Sequence, residues 1–207
     1  PERVVAVHKG YADAGAEFIT ANTFGANSLK YENVDELVKA GVALAKKAGK
    51  YVALDIGPTG KLLKPMGDLE FEKAVELFAE VVRAGKDGSD VAIIETMSDM
   101  YELKAAVIAV KENSDLPIIT SMIFDESGRL LTGGDVKSAV AMLEGLRVDA
   151  IGFNCGLGPK QMIPLVEELR ECTSLPILVM PNAGLPESVD GKTVYNVSPD
   201  EFAQDMR

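Results

Sequence analysis

Six short, nearly unbroken apolar runs, each preceded by a stretch with helical spacing, constrain what this chain can fold into. They are Phe18–Ala21, Tyr51–Ile56, Val91–Ile94, Pro117–Phe124, Ala150–Phe153 and Leu175–Met180. Runs of this kind, without polar alternation, are expected of parallel strands covered on both faces. The segments between them carry helix signals. Arg3–Ala14 is stopped by Gly15, and Asp35–Ala48 places Val38, Val42 and Ala45 on one face before Gly49. Leu69–Ala84 spaces Phe71, Val75, Phe78 and Val82 along one side. Asp99 and Glu102 form a capping-box pattern for a helix through Val110, Asp135 caps one through Leu146, and Pro159 fits the first turn of one to about Arg170. Ser198, Pro199 and Glu201 start a last helix by the same capping logic. Asn182–Tyr195, with Gly184, Pro186 and Gly191, is expected to be an exposed loop.

Alternating units fit a doubly wound sheet or a (β/α)8 barrel. No Gly-x-Gly-x-x-Gly follows the first strand, which weakens the dinucleotide-binding form. The ends of five strands are instead polar: Asn22-Thr23, Asp55, Glu95-Thr96, Asn154-Cys155 and Pro181-Asn182. A ring of such residues belongs at the carboxyl face of a barrel. The expected fold is therefore α/β, a (β/α)8 TIM barrel truncated to about six parallel strands, first and last strands absent. Residues 1–207 are read as a single domain, a length and a 47% hydrophobic content sufficient for one sizeable core.

Charge and composition narrow the partners. Asp and Glu number 32 against 21 Lys and Arg, a net charge of −11, and the signs are interspersed. No basic block exists for a nucleic-acid backbone. No apolar run approaches membrane-spanning length and no signal peptide is read, so a cytoplasmic protein is expected. Cys155 and Cys172 make no disulfide framework.

Cys155, on the turn from a strand into a helix, is open to three roles: buried hydrophobe, nucleophile or metal ligand. Cys172, at a helix end leading into a strand, belongs on the opposite face and is read as packing. Glu95 is placed to bind an ammonium group or to work as an acid/base. Asn22, Thr23, Asp55 and Asn154 either orient a substrate or satisfy their own turns. Gly156-Leu157-Gly158 at a helix start is a weak anion-cradle signal. His8 is read as a surface or packing residue.

Five segments in order carry a resemblance that covers essentially the whole chain. They are His8-Lys9-Gly10-Tyr11 with Ala14-Gly15-Ala16, Thr20-Ala21-Asn22-Thr23-Phe24-Gly25-Ala26, Asp55-Ile56-Gly57-Pro58-Thr59-Gly60, Glu95-Thr96-Met97 and Gly152-Phe153-Asn154-Cys155. Together they resemble the homocysteine S-methyltransferase family, most of all the homocysteine module of its cobalamin-dependent branch. The resemblance implies a (β/α)8 barrel that transfers a methyl group to the thiol of homocysteine to give methionine. It implies a zinc ion on three cysteine thiolates, of which Cys155 matches one and an adjacent downstream pair is not in this sequence. It implies that Glu95 meets the homocysteine amino group, with Asn22, Thr23, Asp55 and Asn154 in the substrate pocket. The methyl donor it favours is methylcobalamin, with cobalamin and methyltetrahydrofolate on other modules of a parent chain. On that basis the fragment alone is expected to be inactive and to self-associate through exposed strand edges. Two other classes stay open: a different (β/α) barrel enzyme with a phosphorylated substrate, and a non-catalytic fragment.

Overall fold

The computed structural model describes residues 1–184 and 186–207. Six strands lie side by side in sequence order, all parallel: β1 (Phe18–Thr20), β2 (Tyr51–Ile56), β3 (Val91–Met97), β4 (Ile118–Met122), β5 (Ala150–Asn154) and β6 (Ile177–Met180). Strand order without reversal separates a barrel from a doubly wound sheet, which has a switch point. The result is a curled, open (β/α) half-barrel, as the sequence led us to expect. Its crossovers are α2 (Val34–Lys46), α3 (Phe71–Gly85), α4 (Met100–Asn113), α5 (Val136–Gly145) and α6 (Pro159–Cys172), while α1 (Glu2–Asp13) leads into β1.

The period-two geometry of the strands sorts their side chains onto two faces. Leu54, Ile56, Ile94, Ile151 and Phe153 point outward into the main core with the helices. Ala53, Val91 and Ile93, joined by Ile119, Leu178 and Met180, form a smaller apolar cluster on the concave face. Helix α3 shows how spacing becomes packing. Ala74, Leu77, Phe78, Val81 and Val82 are buried, each large one worth about 1.5–3 kcal/mol, while Phe71 and Val75 sit at the rim. At the amino-terminal face, one device recurs. Asp90 Oδ2 accepts from the Val52 amide and Asp149 Oδ2 from the Ile118 amide, both at 2.7 Å, tying strand starts together.

Two expectations need correction. Asn182–Tyr195 is not simply a loop: β7 (Pro186–Val189) and β8 (Lys192–Tyr195) pair antiparallel about Asp190-Gly191, both with positive φ, the conformation that an Asp-Gly hairpin turn requires. Leu185, within that stretch, lies outside the described residues. The Asp99–Glu102 box is only half made. Asp99 accepts from the Glu102 amide, but the Glu102 carboxylate turns inward, accepting from Thr59 N at 2.8 Å and Thr59 Oγ1 at 2.6 Å. Of the two readings of His8, surface or packing, burial favours packing: it is 7% exposed. Two other helix starts agree with their capping signals: Asp135 with Ser138 before α5, and Ser198 with Glu201 before α7 (Pro199–Asp205).

Candidate functional site

Parallel strands bring their carboxyl ends to one face, so Asn22, Asp55, Glu95, Asn154 and Cys155 gather there from β1, β2, β3 and β5. The register of β3 against β4 shifts between Ile94 and Met97. Such an irregularity re-aims the residues inside it, here Glu95 and Thr96.

Asn154 is the centre of the best-ordered part of the site. It is 3% exposed, and all of its amide hydrogen-bonding capacity is used within the chain. Its Oδ1 accepts from Thr96 N at 2.9 Å and from Ser121 Oγ at 2.6 Å. Its Nδ2 donates to Thr96 Oγ1 at 2.7 Å and to Cys155 Sγ at 3.2 Å. One side chain thus joins the ends of β3, β4 and β5. Two of the residues in this cluster, Thr96 at φ 61° and Cys155 at φ 57°, hold the left-handed conformation. A non-glycine residue there costs about 1–3 kcal/mol and persists only where surrounding bonds enforce it. Donation from Nδ2 orients the sulfur.

The remaining candidates divide. Thr23 is buried and its hydroxyl donates to the Asp55 carbonyl at 2.8 Å, so it braces β1 against β2. Asn22 and Asp55 line a concave cavity of about 570 Å³ with His8, Tyr11 and Thr20. Its floor is the apolar cluster Ala53, Val91, Ile93, Leu178 and Met180. Asp55 is 6% exposed. Burial, reinforced by the Glu95 charge, pushes its carboxyl up to about 8. Glu95 is itself raised by burial. Cys155 is partly buried. Cys172 ends α6 at the far face and packs against the main core.

Several participants were not singled out from sequence. Thr96 follows Glu95 in a strand-end motif that by itself gives the threonine no role. Ser121 was hidden in an apolar run, although a hydroxyl among Ile119, Met122 and Phe124 is itself a signal. Glu102 braces the Gly57–Gly60 turn through Thr59 from a position read as a cap.

Among the described residues, no three His, Cys, Asp or Glu side chains come together as a metal site. Cys155 is a single thiol donor. The donors of these residues therefore do not by themselves fit a three-thiolate zinc centre.

Several known proteins are similar to this chain. The homocysteine S-methyltransferase family profile matches residues 1–207. Methionine synthases of Mycobacterium leprae (strain TN) and Mycobacterium tuberculosis (strain ATCC 25618 / H37Rv) are each 30% identical over 225 residues, covering 99% of this chain. The chain spans 19% of the length of those curated relatives. Among solved structures, the apo form of the homocysteine methyltransferase MmuM from Escherichia coli is similar at TM-score 0.75 and 26% identity, over 89% of this chain and 72% of that one. Its metallated form reaches a TM-score of 0.79 at 24% identity, over 89% and 73%, a likeness of fold. A GH113 beta-mannanase of Alicyclobacillus acidocaldarius shares the fold at a TM-score of 0.62 and 14% identity, over 100% of this chain and 76% of that one.

Proposed function

The chain belongs to the homocysteine S-methyltransferase family, and on that footing we propose that it forms the homocysteine-binding part of a larger enzyme of the methionine synthase type. The reaction makes methionine: the homocysteine sulfur bonds to a methyl carbon as that carbon leaves its donor, and the thiol proton is released. The observation that carries this assignment is the Asn154 network, which holds Cys155 Sγ at the same strand-end face as Glu95 and Asp55.

Each residue then has a task. Glu95 and Asp55 receive the substrate ammonium group, and Asn22 lies at the edge of the same cavity. The apolar floor takes the methylene chain and keeps water from it. Thr23 fixes the β2 end that carries Asp55. Asn154 positions Cys155 and Thr96 rather than meeting substrate, since its four bonds are already made. Cys155 is assigned as one thiolate of a zinc site, the remaining ligands coming from outside these residues. Zinc chemistry would keep the substrate thiol deprotonated.

Methylcobalamin is the proposed donor, with cobalamin and methyltetrahydrofolate held by other modules. The length of the curated relatives supports this, because most of each lies outside the matched part. No helix among the described residues is long and apolar enough to cross a membrane, and a cytoplasmic location belongs to the same proposal. The test is methionine formation by the full-length protein from homocysteine with methylcobalamin, followed by mass spectrometry. Donor-dependent methionine is expected. Failure with methylcobalamin but turnover with another methyl donor would reassign the donor, and failure with every donor would remove the activity.

A further inference from the structure

Glu102 is an acid in the interior, 4% exposed on the first turn of α4. Burying a carboxylate is costly unless it is bonded. Replacing both members of a buried polar pair by apolar groups of the same shape is often neutral or stabilising. Stability alone therefore does not call for an acid here. What the carboxylate supplies is direction. Its Oε1 accepts from both donors of one residue, Thr59 N at 2.8 Å and Thr59 Oγ1 at 2.6 Å. Thr59 is 2% exposed, and its hydroxyl oxygen accepts in turn from the Lys61 amide at 3.2 Å.

The turn that Glu102 holds is also tied to the loop after β1. Gly57 N donates to the Phe24 carbonyl at 3.1 Å, and a Cβ on Gly57 would stand 2.5 Å from the Phe24 ring. Thr23, the residue before, donates to the Asp55 carbonyl. Outside ties matter because the turn's own residues supply little stiffness: Gly57 and Gly60 leave the backbone free, and Gly60 has φ 82°. Asp55, two residues before Gly57, lines the concave cavity. Neither Glu102 nor Thr59 is among the described residues that line it.

We infer that Glu102 is a positioning residue for the homocysteine reaction: through Thr59 it clamps the Gly57–Gly60 turn and so holds the end of β2 in the shape that binds substrate. The inference rests on the homocysteine assignment above and adds a residue that acts on the pocket from outside it. Its effect falls on binding. A loosened turn must be reordered each time substrate enters, and that cost appears in KM. The methyl-transfer step, at the Cys155 end of the face, keeps its rate. The acceptor oxygen rather than the charge is the working part, because both bonds end on one Oε1. Glutamine keeps such an oxygen on a side chain of the same length.

The experiment joins hydrogen-exchange mass spectrometry to homocysteine kinetics, run on the full-length protein with the donor that supports turnover. The variants are Glu102→Ala, Glu102→Gln and Thr59→Val. In Glu102→Ala, exchange across residues 57–61 should quicken about tenfold or more, and KM for homocysteine should rise about tenfold with kcat within about twofold. Glu102→Gln should return both readings close to native. Thr59→Val keeps the amide bond and loses the hydroxyl, so a smaller rise in KM is expected; it decides the question where Glu102→Ala does not fold. Exchange unchanged across 57–61 in Glu102→Ala removes the clamp. Faster exchange there with KM unmoved leaves Glu102 a structural brace and overturns the inference. A loss confined to kcat, or a glutamine variant no better than alanine, overturns it as well. Each of these results leaves the homocysteine assignment standing. Native protein that forms no methionine from homocysteine would remove that assignment, and the inference with it.

Discussion

Asn154 grips Thr96 at two points: the Thr96 amide donates to Oδ1 at 2.9 Å, and Nδ2 donates to Thr96 Oγ1 at 2.7 Å. The same Nδ2 reaches Cys155 Sγ. Strain at two left-handed residues is thereby held by one amide, and the thiol is aimed by a group that needs no contact with substrate.

Removing that amide should cost both stability and chemistry. Asn154→Ala leaves Ser121 Oγ and the Thr96 amide without their acceptor, and about 2–4 kcal/mol of stability should be lost in urea unfolding. Asn154→Asp keeps an acceptor for both of those donors but loses both donations. Its stability should fall less while methyl transfer falls at least as far. Equal activity in Asn154→Asp and the native protein would show that the donation to Cys155 has no role.

Gly152 carries a steric prediction. A Cβ there would lie 1.9 Å from the Leu178 carbonyl oxygen, which is backbone of the neighbouring strand and cannot swing aside. Gly152→Ala should part β5 from β6 and cost more than about 3 kcal/mol, whereas Gly145→Ala, with nothing within 4 Å, should be close to neutral. Thermal unfolding of the pair measures the difference.

The raised Asp55 carboxyl sets a pH dependence. The folded protein keeps a proton that the unfolded chain loses near 3.8, so stability falls as pH rises from about 4 to about 8 and levels off above that. Asp55→Asn removes this slope. The variant should gain stability on the native protein at pH 8.5 relative to pH 5; urea midpoints that differ by the same amount at both values would contradict it.

Much of this was legible because parallel barrels write their chemistry at strand ends. Unbroken apolar runs such as Val91–Ile94 located the strands, and the polar residues just beyond them located Glu95 and Cys155. What escaped depended on long-range direction. Glu102 looks like a helix cap from spacing alone, yet it turns across to Thr59, 43 residues earlier. The β7–β8 hairpin was a different case: Asp190-Gly191 between Glu187-Ser188-Val189 and Lys192-Thr193-Val194 is a local turn signal, masked by the glycine and proline around it.

The strand edges give another test. β1 and β6 end the six-stranded sheet, and unpaired edges invite pairing with other chains. Residues 1–207 alone should self-associate in light scattering. A monomer with one sharp urea transition would show that both edges are covered within the chain.

The central claim is that Cys155, aimed by Asn154, serves methyl transfer to homocysteine. Its most direct test is Cys155→Ser in the full-length protein, assayed for zinc retained through dialysis and for methionine formed, with unfolding followed in parallel. The account predicts loss of both zinc and turnover in a protein that still unfolds cooperatively. Undiminished turnover in that variant would make Cys155 a packing residue and contradict the account.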